Sequence, residues 1–198
     1  MSQVLPKPKP LTDPHEIIIR GCRENDMHCQ EQLYRLCYPE MIKICVRYAG
    51  DMDGAGIIYN NAMLRVFRHI GTYRHDGKLL AWVKTIVVHC CLDHIRKKGP
   101  IREEKLGAEQ EEQVSITEEV FARISVKDIQ KIISQLPAAT GAVFNLYIYE
   151  SFTHKQVSEA LGISEGTSKW HVNEARRILK TKLEHFLNPA VKTNADRK

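Results

Sequence analysis

No stretch of this chain approaches the roughly 18 consecutive apolar residues that a membrane span requires. Met1 to Leu11 is rich in Pro and Lys and lacks the apolar centre of a secretory signal. The expectation is a cytoplasmic protein with no membrane insertion. None of the six cysteines belongs to a CxxC pair, which argues against a zinc ribbon or a disulfide framework and leaves reduced core thiols. Strand-like alternation is missing, as is any repeat with a period of about 20 to 50 residues. No Ser/His/Asp spacing and no Gly-rich phosphate loop marks a catalytic centre. His89, Cys90, Cys91, Asp93 and His94 contain two i, i+4 pairs but lack the four-ligand spacing of a structural zinc site. No metal, no cofactor and no enzymatic activity are therefore expected.

The 198 residues do carry 43% hydrophobic and 27% charged side chains, the balance of a soluble globular protein with room for one ordinary domain or two small ones. Net charge is +5, which mildly favours a polyanionic partner. Its distribution is more informative. Glu103 to Glu119 holds seven acidic residues against one lysine, so the rest of the chain is more basic than the total suggests. Gly99-Pro100 ends the preceding helix, because proline disfavours helical geometry in the residue before it. The predicted organisation is an N-terminal tail (1–13), a basic module (14–98), an acidic linker (99–116), a second basic module (117–186) and a C-terminal tail (187–198).

Both modules read as helical, which makes the fold class all-α. In the first, Leu33, Leu36, Cys37, Met41, Ile44 and Cys45 recur at helical steps, with Tyr38-Pro39 expected to split the run into two helices. Met63, Val66, Phe67 and Ile70 form the next apolar stripe. Gly71 to Lys78 reads as a polar loop, and Leu79 to Lys98 as a helix with a basic end at His94, Arg96, Lys97 and Lys98.

In the second module, Thr117 is placed as the cap of a helix running to about Gln135. Pro137 suits the first turn of the next helix, which carries Val143, Phe144, Leu146 and Tyr147. Thr153 and Gln156 match a capping box, Gly162 suits a left-handed turn, and Ser164 can cap one more helix. This is a helix-turn-helix pattern. On a helical wheel Ser168, Val172, Ala175 and Leu179 share the packing face. Gly166, Trp170, Asn173 and Arg177 lie opposite, flanked by Lys169, Arg176 and Lys180. That division suits a helix whose N-terminal end reads base edges while Arg and Lys neutralise phosphates. The bland alternative is a solvated basic face on a helical hairpin.

Leu136-Pro137, Val143-Phe144, Glu150, the run from Thr153 to Lys169, and Glu174 to Lys180 resemble conserved region four of bacterial extracytoplasmic-function (ECF) sigma factors. Asp53 to Ile70, Thr72-Tyr73-Arg74, Ala81-Trp82-Val83 and Leu92 to Lys98 resemble region two of the same family. Both matches stand in the family's order. The resemblance implies a sigma region 2 helical bundle and a sigma region 4 helix-turn-helix domain joined by a flexible acidic linker. Region four would read the minus-thirty-five promoter element through Lys155, Ser164, Glu165, Gly166, Thr167, Lys169, Trp170, Asn173, Arg176 and Arg177. Region two would capture the melted minus-ten element with Tyr73, Arg74, His75, Lys78, Lys84, His89, Arg96 and Lys97. Its helix around Tyr59, Asn60, Asn61, Leu64, Arg65 and Phe67 would dock on the polymerase.

The implied partners are core RNA polymerase, through its beta-prime clamp and beta flap, promoter DNA, and an anti-sigma factor where a separate regulator exists. The chain departs from the family pattern at five positions. Asn60 and Asn61 replace a glutamine and an acidic residue, His89 replaces an asparagine, and Val88 and Gly141 replace commonly basic residues. Two other readings are a helix-turn-helix regulator of the quorum-sensing-regulator type and a helical protein-interaction adaptor. The first would require a strand-containing ligand or receiver domain in the N-terminal half, and the second would bind protein without affinity for DNA.

Overall fold

The computed structural model describes residues 14–74, 78–97 and 125–187. Among these there are helices and turns and no strand. The chain divides into two compact units, with the boundary between His94 and Ile95. The tails, the acidic linker, Thr117 and His75 lie outside the described residues.

Four helices build the first unit: α1 (Pro14–Arg23), α2 (Met27–Ala49), α3 (Met52–His69) and α4 (Leu79–Lys97), with a short 3-10 turn at Ile70–Thr72. Asp26 caps α2 by accepting from the Cys29 amide at 2.8 Å, and Asp51 caps α3 through the Gly54 amide at 2.6 Å. The amide of Cys29 also holds the Asp26 carboxyl below the usual carboxylate range.

The expected break at Pro39 does not occur, for α2 runs through it. Proline removes one helical hydrogen bond. However, Cys37 and Met41 on either side are buried on one stripe with Leu33, Ile44 and Cys45, while Pro39 itself is exposed. Burial of that uninterrupted stripe outweighs the lost bond.

Ile19 and Cys22 from α1, Ile58, Met63 and Val66 from α3, and Val83, Val87 and Cys91 from α4 complete a core in which each is at most 2% exposed. Leu36, read as part of the apolar run, is one of the exposed large hydrophobics. The predicted polar loop after Ile70 is only partly polar. Tyr73 is buried, its ring tilted against Trp82 at 5.4 Å, and Arg23 donates to the Tyr73 carbonyl at 2.7 Å.

All six cysteines are free. Burial pushes the Cys37 thiol up to about 12 and that of Cys22 to about 11, which keeps both protonated at neutral pH. Cys45 moves the other way because Cys91 hydrogen-bonds to its sulfur. The six cysteines and all five methionines fall within the first 91 residues.

The second unit contains α5 (Val126–Ile133), α6 (Ala138–Phe144) continued by a π-helical turn at Asn145–Tyr149, α7 (His154–Leu161) and α8 (Glu165–Leu187). The helix expected to run unbroken from Thr117 instead has an N-cap at Ser125, whose extended backbone and hydroxyl satisfy the Asp128 amide at 3.1 Å. Leu136, Phe144 and Ala175 form a buried cluster against which Ile133, Ile178 and Leu179 pack.

The corner between α1 and α2 gives a direct test of packing. A Cβ on Gly21 would lie 2.7 Å from the Cys29 Cβ and closer still to its sulfur. Gly21→Ala is expected to destabilise the first unit by about 1–3 kcal/mol in urea unfolding, with a smaller loss in a Cys29→Ala background.

Candidate nucleic-acid interface

The helix-turn-helix in the second unit forms because both ends of α7 and the start of α8 are satisfied locally. Thr153 accepts from the Gln156 amide at 3.2 Å while the Gln156 side chain accepts from the Thr153 amide at 2.9 Å. Gly162 then turns the chain with φ +68°, a left-handed value that disfavours a side chain. Ile163 returns to the core at 7% exposure, and Ser164 Oγ accepts from the Thr167 amide at 3.0 Å to start α8.

The faces of α8 divide as the wheel predicts. Ser168, Val172 and Ala175 are buried, Leu179 packs against the core cluster, and Lys169, Arg176 and Arg177 are exposed. Gly166, Trp170 and Asn173 are half-buried, and Glu165 and Lys155 are exposed. Thr167 is not a surface residue: at 2% exposure its hydroxyl is paired with Ser164 at 2.9 Å, so both serve the cap. Arg177 is gripped twice by Glu174 of the same helix, at 2.6 and 2.8 Å, and this ion pair holds the Glu174 carboxyl below its usual range. Arg176 donates to Asn173 at 3.4 Å. These residues still form one outward basic surface.

Two polar anchors were not read from the sequence. His154 stacks on Tyr147, with centroids 4.4 Å apart, and its Nδ1 pairs with the buried Ser168 hydroxyl at 2.9 Å. His171 is buried and pairs with Thr140 at 3.0 Å, joining α8 to α6. Desolvation, followed by the nearby Lys169 charge, pulls the His154 pKa down. Ser168 on the packing face was legible, but its histidine partner, fourteen residues earlier, had no local signature.

In the first unit Arg74, Lys78 and His89 are exposed and Lys84 is half-buried, and Arg96 and Lys97, in the last turn of α4 just past the boundary, are exposed. Tyr73 differs from expectation, because its ring is enclosed against Trp82 and is not an open stacking surface. On α3, Asn60, Asn61, Leu64 and Arg65 are exposed and Phe67 is half-buried. Tyr59 is a core residue instead of a surface contact. It is fully buried between Tyr34 and Tyr38, and donates to the Tyr34 carbonyl at 2.6 Å. The Tyr34 hydroxyl donates to Asn60 at 2.9 Å, and Arg65 pairs with Asp93 of α4 at 2.8 Å. Among the described residues no three His, Cys, Asp or Glu side chains gather in a metal-holding group. His89 faces outward while Cys90 and Cys91 face the core.

Residues 33–101 match the family Sigma-70 region 2, and residues 127–179 match Sigma-70, region 4; together they span more than half of the chain. The chain belongs to the sigma-70 family of sigma factors. Among curated relatives, it is 25% identical to the ECF RNA polymerase sigma factor SigM of Mycobacterium tuberculosis over 171 residues, covering 84% of this chain and 82% of that one. It is 25% identical to SigW of Bacillus subtilis over 176 residues, covering 83% and 94%. SigL of Mycobacterium tuberculosis is 28% identical over 163 residues, covering 78% and 90%. A solved structure of the sigma factor RpoE in complex with the anti-sigma factor NepR, from Bartonella quintana, aligns at 19% identity and a TM-score of 0.47, covering 78% of this chain and 96% of that one. As a sigma factor, the protein directs promoter-specific transcription initiation. The region 2 match places sigma sequence where the quorum-sensing-regulator reading needs a ligand or receiver domain.

Two outcomes follow for this domain of the sigma factor. Thr153→Ala is expected to cost about 1 kcal/mol in denaturant unfolding, through loss of the cap. Since the folded state disfavours charged His154, the stability it contributes is present above its unfolded pKa and is lost as pH falls through and below that value. Thermal midpoints measured from pH 7.5 to 5 should therefore fall less steeply in His154→Asn than in the parent.

Proposed function

We propose that this sigma factor splits promoter recognition between its two units, docking on core RNA polymerase through the first. The outward side of α3, with Asn60, Asn61 and Leu64, meets the beta-prime clamp. Helix α4 and the segment before it, with Arg74, Lys78, Lys84, His89, Arg96 and Lys97, hold the unpaired minus-ten strand. Tyr73 supports that segment from within. The second unit lays the N-terminal half of α8 in the major groove of the minus-thirty-five element, where Glu165, Lys169, Trp170 and Asn173 reach base edges. Lys155, Arg176 and Arg177 meet phosphates there, and the same unit meets the beta flap.

Residues 14–98 and 117–186 are the two working domains, and the acidic segment 99–116 is the tether between them. The chain makes and breaks no bond itself. It acts in the cytoplasm, where polymerase works, and among the described residues no helix is long and apolar enough to cross a membrane. A separate anti-sigma factor is the form of control that fits a chain in which no sensory module was read.

The observation that carries this reading is the ordered pair of region 2 and region 4 matches on one chain, with a helix-turn-helix capped on both sides of its turn in the second. Adding the protein to core polymerase and a promoter library should produce transcription starts that share an upstream motif pair. No start dependent on the protein would overturn the proposal. Lys155→Ala and Arg176→Ala should each weaken promoter binding and lower the slope of log affinity against log salt by roughly one.

A further inference from the structure

Arg65 was read as part of the polymerase-docking surface, yet the structure turns it along α4. Its guanidinium Nη2 lies 2.8 Å from Asp93 Oδ2, and the side chains keep 44% and 35% of their exposure. Arg65 and Cys90, one turn before Asp93, also lie close enough to shift each other's titration.

Asp93 sits four residues after His89 and three before Arg96, so all three occupy one face of α4. A carboxylate between two groups that are to meet a nucleic-acid strand would repel phosphate unless a cation neutralised it. Arg65 supplies that cation from a different helix. The same contact ties α4 to α3 at one rotational setting, in addition to the burial of the α4 apolar stripe. The far half of α4 is otherwise held by its apolar stripe and by the Cys91–Cys45 contact.

We propose that Arg65 is a positioning residue for capture of the unpaired promoter strand, acting through Asp93, and not a contact to polymerase. This rests on the reading of the first unit as the minus-ten module. It also assigns Asp93 a role, as the acceptor that, paired with Arg65, keeps the His89 face of α4 presented. A largely exposed ion pair is a modest interaction, so the expected effect on strand capture is about three- to fivefold.

The test uses holoenzyme reconstituted from the full chain and core polymerase, with the minus-ten sequence taken from mapped start sites. Affinity for core is measured separately from affinity for a fluorescent single-stranded minus-ten oligonucleotide. Arg65→Ala/Asp93→Ala keeps the net charge while deleting the pair, and Arg65→Asp/Asp93→Arg keeps the charge and reverses the pair. The double alanine variant should bind the oligonucleotide about three- to fivefold more weakly with core affinity within twofold of the parent. The reversed pair should recover capture to within twofold.

Loss of core affinity in every variant lacking Arg65, the reversed pair included, would make Arg65 a docking contact and overturn the proposal. Unchanged capture in the double alanine variant, with only a lowered melting temperature, would reduce the pair to a stability element and overturn it as well. If the double variants do not fold, Arg65→Lys retains the charge without the planar fork, and unaltered capture in it counts against the proposal. A parent holoenzyme that binds core but captures no unpaired strand overturns the minus-ten reading itself, a result distinct from those above.

Discussion

On α4 and α8 the outward direction of the basic side chains follows from the buried residues of the same helix. On α4, Val83, Val87 and Cys91 follow one another at four-residue steps and are completely enclosed. That stripe leaves His89, Arg96 and Lys97 on the far side, because a helix buries one face and exposes the other with a 3.6-residue period. On α8 the stripe is Ser168, Val172 and Ala175, whose small volumes let the helix approach its neighbours closely. Two helices with basic outward faces thus owe their orientation to apolar burial, which is indifferent to any partner and stays in place when the partner is absent.

Polar contacts do a different job. The pairs His154 with Ser168, Thr140 with His171 and Arg65 with Asp93 each join one helix to another at a defined register. The first two involve buried groups, whose unsatisfied alternatives are costly, and so they penalise sliding more than they add net stability. The Glu174–Arg177 clamp is of another kind, lying along a single helix at the surface, where such a pair contributes little to stability but restricts where the guanidinium points.

Much of this was legible in the sequence because the signals are local. The capping box at Thr153, the left-handed Gly162, the cap at Ser164 and the packing face of α8 involve spacings of a few residues, and backbone requirements fix them. Pro39 misled because propensity is a local quantity, whereas the stripe that carries α2 past it depends on α1, α3 and α4. Tyr59 and Tyr73 misled for a related reason: an aromatic within a functional motif is equally suited to the core, and only the fold shows that each is enclosed. The Arg65–Asp93 and His154–Ser168 pairs could not be read at all, since nothing in linear spacing marks partners on different helices.

The placement of sulfur has a consequence for chemical durability. Every cysteine and methionine belongs to the first 91 residues, so the helix-turn-helix unit contains no atom of sulfur. Peroxide and hypochlorous acid attack thiols and thioethers first, converting apolar side chains into polar ones. Injury from such oxidants therefore falls on the unit built around the three-tyrosine cluster and the four-helix core. Helix α8, with no thiol or thioether, is spared that first stage of attack.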